Sequence, residues 1–127
     1  MKEDQEMMKT VFSEQYYKDD AVRERIKRNK RAMNLEDDLK HEISIFENIG
    51  IDNDYIENIT KIYALQIYNK AIKELLESKK LYLKVRTDSN CLGYTSKAQE
   101  IKAVAEIVET FEYNCVLLKE FKEKHCI

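Results

Sequence analysis

Apolar residues recur along this chain at two periods, and the change of period between them shapes the reading. Leu35, Leu39, Ile43, Phe46 and Ile49 stand three and four residues apart, which predicts an amphipathic helix. Gly50 should end it, because glycine adopts the left-handed conformation a helix terminus needs, and Ile51 stands where an apolar contact closes such a cap. Asp54 with Glu57 reads as an acidic capping box. The helix it opens carries Ile56, Ile59, Tyr63, Ile67, Ala71 and Leu75 on one stripe, widened by Tyr68, Ile72 and Leu76. A stripe that wide can face more than one partner.

After Lys80 the period shortens. Leu81, Leu83 and Val85 alternate with Tyr82, Lys84 and Arg86, the period-two pattern of a half-buried strand. Asp88, Ser89 and Asn90 form turns readily, and Cys91 to Thr95 can return as a second strand. Ser96 with Gln99 caps a last helix through Ile101, Val104, Val108, Phe111, Cys115 and Leu118, ending near Lys124. Upstream, residues 2–17 read as helix, with Met8, Val11 and Phe12 on one stripe that Tyr16 extends. A further helix carries Val22, Ile26 and Met33, either capped by Asp19 or Asp20 or running on from the first segment. The expected fold is mainly α: a helical bundle with two long antiparallel helices joined by a short β-hairpin at 81–95. Residues 1–34 form an N-terminal helical segment and residues 35–127 an oligomerisation core.

Composition supports a helical chain. There are 127 residues with no proline and two glycines, too few turn formers for an all-β fold. Charged residues make up 36% and mean hydropathy is -0.62, so long faces are solvated and the core is thin for this size. Some apolar surface is then expected to be buried against other chains. Three cysteines without repeated spacing do not make a disulfide framework. No apolar run reaches a membrane span, and the acidic start lacks the apolar stretch of a signal peptide. The expected compartment is reducing and cytoplasmic.

Charge is uneven. Arg23, Arg25, Lys27, Arg28, Lys30 and Arg31 face a single Glu24 between Ala21 and Asn34. That stretch carries +5, so the remainder carries -7 to reach the net -2. Such a row recruits phosphates by releasing condensed counterions, which makes double-stranded DNA the candidate partner. No aromatic is interleaved, so base stacking is not indicated. The competing reading is a solvated face paired loosely with Glu36, Asp37 and Asp38.

Other constellations are weaker. Asp38, His41 and Glu42 share a helical face, but a di-iron bundle needs a second such motif, and a polar outer face is favoured. Glu74 with Glu77 and Glu106 with Glu109 resemble the carboxylate pairs of all-helical nucleotide pyrophosphohydrolases, yet the hairpin between them does not suit that fold. His125 and Cys126 lack the four spaced ligands of a zinc site. No metal, cofactor or catalytic residue is expected.

The order of elements resembles the small subunit of phage terminases over residues 35 to 121. The carrying residues are Ile49-Gly50-Ile51, Asp52-Asn53-Asp54, the run Tyr63 to Tyr68, and Ala71 to Leu76 before the hairpin and last helix. Ser78-Lys79-Lys80 and Ser96-Lys97 depart from the glycine and proline common at those places. The resemblance implies a non-enzymatic factor that assembles into a ring, recognises viral DNA and regulates the large ATPase–nuclease subunit of the terminase in the host cytoplasm. It implies self-association through Tyr63, Ile67, Leu81, Leu83, Val85, Tyr94, Val108 and Phe111. The alternative is a small helical inhibitor or adaptor that binds a host protein.

Overall fold

A computed structural model describes residues 14–87, 92–93 and 96–127. A 3-10 turn, Tyr16–Lys18, leads into α1 (Asp20–Lys27), followed by α2 (Leu35–Asn48), α3 (Asn53–Thr87) and α4 (Lys97–Lys124). There is no strand among the described residues.

Local signals set most boundaries. Asp19 caps α1, its Oδ1 accepting from the N–H groups of Ala21 (2.9 Å) and Val22 (3.2 Å). Gly50, at φ +75°, ends α2. Its N–H donates to the Glu47 carbonyl, and the Ile51 N–H reaches back to that of Phe46. This pair of bonds is a Schellman cap. At the start of α3 the capping carboxylate is Asp52, not Asp54. Its Oδ1 accepts from the Asp54 N–H at 3.4 Å, and its carbonyl accepts from Ile56. Ser96 caps α4, its Oγ accepting from the Gln99 N–H at 3.5 Å.

The expected hairpin is corrected by the course of α3. Leu81 to Thr87 continue its helix without a break. Alternation and helical period compete over Leu81–Arg86, and burial decides. As a strand, the segment would turn Tyr82 away from the face bearing Leu81, Leu83 and Val85. As a helix, it carries the core-facing side of Ala64, Ala71 and the half-buried Leu75 on to Tyr82 and Val85, which are 0% and 2% exposed. No glycine or proline between Asn53 and Thr87 interrupts it. The turn Asp88–Asn90 and the second expected strand, apart from Leu92 and Gly93, lie outside the described residues, as does the expected helix at 2–17 up to residue 13.

Helices α3 and α4 are antiparallel. Tyr82 stacks on Phe111, with ring centroids 4.1 Å apart, while Ala64 and Ala71 share a core cluster with Leu118 and Phe121. Leu35, Leu39 and Ile43 of α2 complete that cluster, and the Phe46 ring meets Tyr63 at 5.8 Å. A second cluster joins Tyr17 and Ile26 to Tyr113 and Val116 on another side of α4. Five consecutive residues of α4, Thr110 to Asn114, are therefore buried, as expected for a helix packed on all sides.

Candidate interaction surface

The cationic stretch is not one continuous helix. Helix α1 ends at Lys27, and the chain turns through Arg28 to Asn34. The Asn29 Oδ1 accepts from the Arg31 N–H at 3.0 Å, and the Asn29 carbonyl accepts from Ala32. This is the local turn a short amide side chain favours over helix. Helix α4 then clips the turn in place. Asn114 Nδ2 donates to the Arg31 carbonyl (3.0 Å), its Oδ1 accepts from the Met33 N–H (2.9 Å), and Asn29 Nδ2 donates to Thr110 Oγ1 (3.0 Å). Asn114 and Thr110 are buried, so these bonds are partly shielded from water.

The six cations divide by partner. Arg23 turns inward. Its Nη2 donates to both Glu120 oxygens (2.6 and 3.0 Å), its Nε donates to the Tyr17 carbonyl, and its guanidinium lies 5.9 Å over the Tyr113 ring. Arg25 Nη2 donates to Glu109 Oε2 (2.7 Å) and to the Tyr16 hydroxyl (2.8 Å). Tyr16 itself donates to Glu109 (2.7 Å). That contact with the Glu109 carboxylate raises the affinity of Arg25 for its proton. Lys27 has only a loose contact with Glu24, 3.6 Å between two exposed side chains. Arg28, Lys30 and Arg31 are exposed and have no ion pair among the described residues. Two cations thus bind α1 to α4, and four project from the corner between α1 and α2.

Below that corner lies a groove of about 810 Å³ between the turn, α2 and α3. Lys30, Arg31 and Lys70 line it together with Asp38, Glu42 and Glu74; His41, Tyr63 and Gln66 complete the polar wall. The Asp38, His41 and Glu42 set expected on one face of α2 therefore borders this groove. The two glutamate pairs do not meet. Glu74 and Glu77 line one cavity, while Glu106 and Glu109 line another beside Arg25 and Arg28. Among the described residues, no three histidines, cysteines or carboxylates are placed to hold a metal ion. No described helix is long and apolar enough to cross a membrane.

Four of the eight residues expected at subunit contacts pack within the protomer. Val85 and Phe111 are buried, and Tyr63 and Ile67 pack against the main core cluster. Leu81, Leu83 and Val108 are half-buried. Tyr94 lies outside the described residues.

Sequence reasoning missed the polar centre of the molecule. Glu112 is 1% exposed. Its Oε1 accepts from the Tyr17 hydroxyl (2.7 Å), and its Oε2 from that of Tyr82 (2.8 Å). Arg86 Nη1 donates to the Tyr82 oxygen at 2.9 Å. Burial first, then donation to Glu112, holds both tyrosine hydroxyls above the ordinary tyrosine range. The available signal was Thr110-Phe-Glu-Tyr-Asn114, polar residues interleaved with aromatics in mid-helix. Cys115, expected in the core, is half-buried, and burial pushes its thiol up to about 11.

No known protein family, curated protein or solved structure matches the chain.

Proposed function

We propose that this chain is a non-enzymatic DNA-binding protein that holds duplex backbone at the corner formed by Lys27, Arg28, Lys30 and Arg31. The observation that carries the reading is the division among the cations. Arg23 and Arg25 are closed onto glutamates, whereas Lys27 projects from the end of α1 and Arg28, Lys30 and Arg31 from a turn clipped by Asn114 and Thr110. A pinned cationic turn loses little freedom on meeting phosphates, and its affinity comes from counterion release. The separation of the two glutamate pairs supports a role without metal-assisted hydrolysis.

The fuller version is a packaging factor beside a large terminase subunit, acting as a homo-oligomer in the host cytoplasm. Its support is the resemblance over residues 35–121. The helical course of Leu81–Thr87 means that such assembly must use a surface other than the expected ribbon. A second reading, an adaptor for a host protein, is favoured by the exposed Ile45, Ile49 and Ile101.

The test is duplex affinity against salt for the intact chain and for K27E/R28E/K30E/R31E. Loss of four phosphate contacts should flatten the slope of log K against log salt by about 3 to 4. Unchanged affinity and slope would remove DNA from the reading. A nucleotide panel with magnesium should show no turnover.

A further inference from the structure

Helix α3 carries a second apolar line that, among the described residues, is left largely uncovered. Tyr55, Asn58, Ile62, Leu65, Asn69, Ile72 and Leu76 follow one another at alternating spacings of 3 and 4. This is the heptad pattern of a helix–helix seam. The centre of this line lies about 130° round the helix from the buried line through Ala64 and Ala71. Tyr55 is 67%, Ile62 56%, Leu65 47% and Leu76 56% exposed. Asn58 and Asn69 are exposed, and Ile72 is half-buried at the edge of the core. A solvated helix face does not need isoleucine and leucine at successive seam positions.

We propose that this line is the contact with a second copy of the chain, whose α3 runs antiparallel, with Ile62 opposite Leu65. The pattern is self-complementary in that alignment. Tyr55 falls opposite Ile72 of the second copy, and Asn58 falls opposite Asn69, so each amide meets an amide. Asparagine within an apolar seam sets register and orientation at some cost in stability. Charge selects the same orientation. Asp52, Asp54 and Glu57 lie at one end of the line; towards the other, Lys70, Lys73, Lys79 and Lys80 outnumber Glu74 and Glu77 and leave it net positive. Antiparallel pairing brings the acidic end of each copy to the basic end of the other, with Asp54 near Lys73. Parallel pairing in register would set Lys73 beside Lys73 and Lys79 beside Lys79. The footprint is about 32 Å by 10 Å on each copy, well under the ~800 Å² per partner of a standard complex. The contact is therefore a reversible, concentration-dependent dimer. It stands apart from the DNA contact, whose cations lie on α1 and the turn after it, so either can fail without the other.

Sedimentation equilibrium of the full chain tests this. The average mass should climb from 15.1 kDa towards twice that value as concentration rises to about 1 mM. Ile62→Glu with Leu65→Glu should hold the chain monomeric with its helical circular dichroism intact, since both positions face solvent. Mixing Asn58→Cys chains with Asn69→Cys chains under mild oxidation should yield a disulfide between the two kinds of chain, located by peptide mass to separate it from the native cysteines. A chain that stays monomeric throughout would overturn the proposal and leave the face to another occupant. Dimers that persist in the glutamate variant would place the contact elsewhere. Predominant pairing of Asn69→Cys with itself would overturn the antiparallel arrangement.

Discussion

At the scale of single residues, Glu112 does most to define the interior. A carboxyl at 1% exposure is tolerated because two tyrosine hydroxyls point at it from different elements. Glu112→Ala leaves both donors buried without that acceptor and opens a cavity. The expected loss is about 2–4 kcal/mol in urea denaturation, with Glu112→Gln costing less. A loss within measurement error would contradict the network. The same hydroxyls predict a pH effect. Tyr17 and Tyr82 keep their protons in the fold above the ordinary value of about 10, where the unfolded chain releases them. Above that pH the folded state binds more protons than the unfolded one, so stability falls as pH rises. Below it the contribution is fully present. Urea midpoints should therefore decline from about pH 10 upward; a flat profile would count against the assignment. In the sequence only the mixture of polar and aromatic residues over Thr110–Asn114 hinted at this; the role of Glu112 was not legible, because a glutamate in a helix reads as a solvated position until the packing partners of its face are known.

At the scale of elements, the instructive segment is Leu81–Arg86. Its alternation favours a strand and its buried spacing favours a helix, and both patterns are physically sound. The face of α4 that bears Phe111 and Glu112 decided between them, since only the helix brings Tyr82 to both. Lys84→Pro tests the outcome. In a continuous helix it removes a backbone hydrogen bond and clashes with the preceding turn, costing about 3 kcal/mol relative to Lys84→Ala. Near-equal stability of the two variants would return the segment to an extended form. By contrast, the stop at Gly50 and the Ser96 start were readable, because each depends on atoms within a few residues; at α1 the structure chose Asp19 from the alternatives of Asp19, Asp20 or an unbroken helix. The capping residue of α3 was misplaced by two positions, since Asp52 and Asp54 offer the same carboxylate chemistry.

At the scale of the whole molecule, α4 is the element that every other one touches. The Tyr17 and Ile26 cluster lies on one side of it, the α2–α3 core on another, and Arg23 and Arg25 reach it through Glu120 and Glu109. No part of the described chain has an apolar core that excludes α4, so unfolding should be cooperative. Helical circular dichroism and tyrosine fluorescence should report one coincident urea transition, since Tyr17, Tyr82 and Tyr113 are all fully buried. Separated transitions would mean that the N-terminal elements melt independently. The location of the cationic run was legible from composition, and the direction each of its side chains takes was not. Arg23 and Arg28 are alike in sequence, and only the glutamates facing α1 from α4 distinguish them.

By itself, then, the sequence determined the helical class, the ends of α2 and α4 and the place of greatest positive charge, because these depend on residue type and near-neighbour spacing. The tertiary structure decided which of two competing periods governed Leu81–Arg86, which arginines were consumed by glutamates, and which of the two apolar lines on α3 was buried. Those outcomes depend on which groups from distant parts of the chain share one face, and the free energy that selects among them comes from contacts rather than from local propensity.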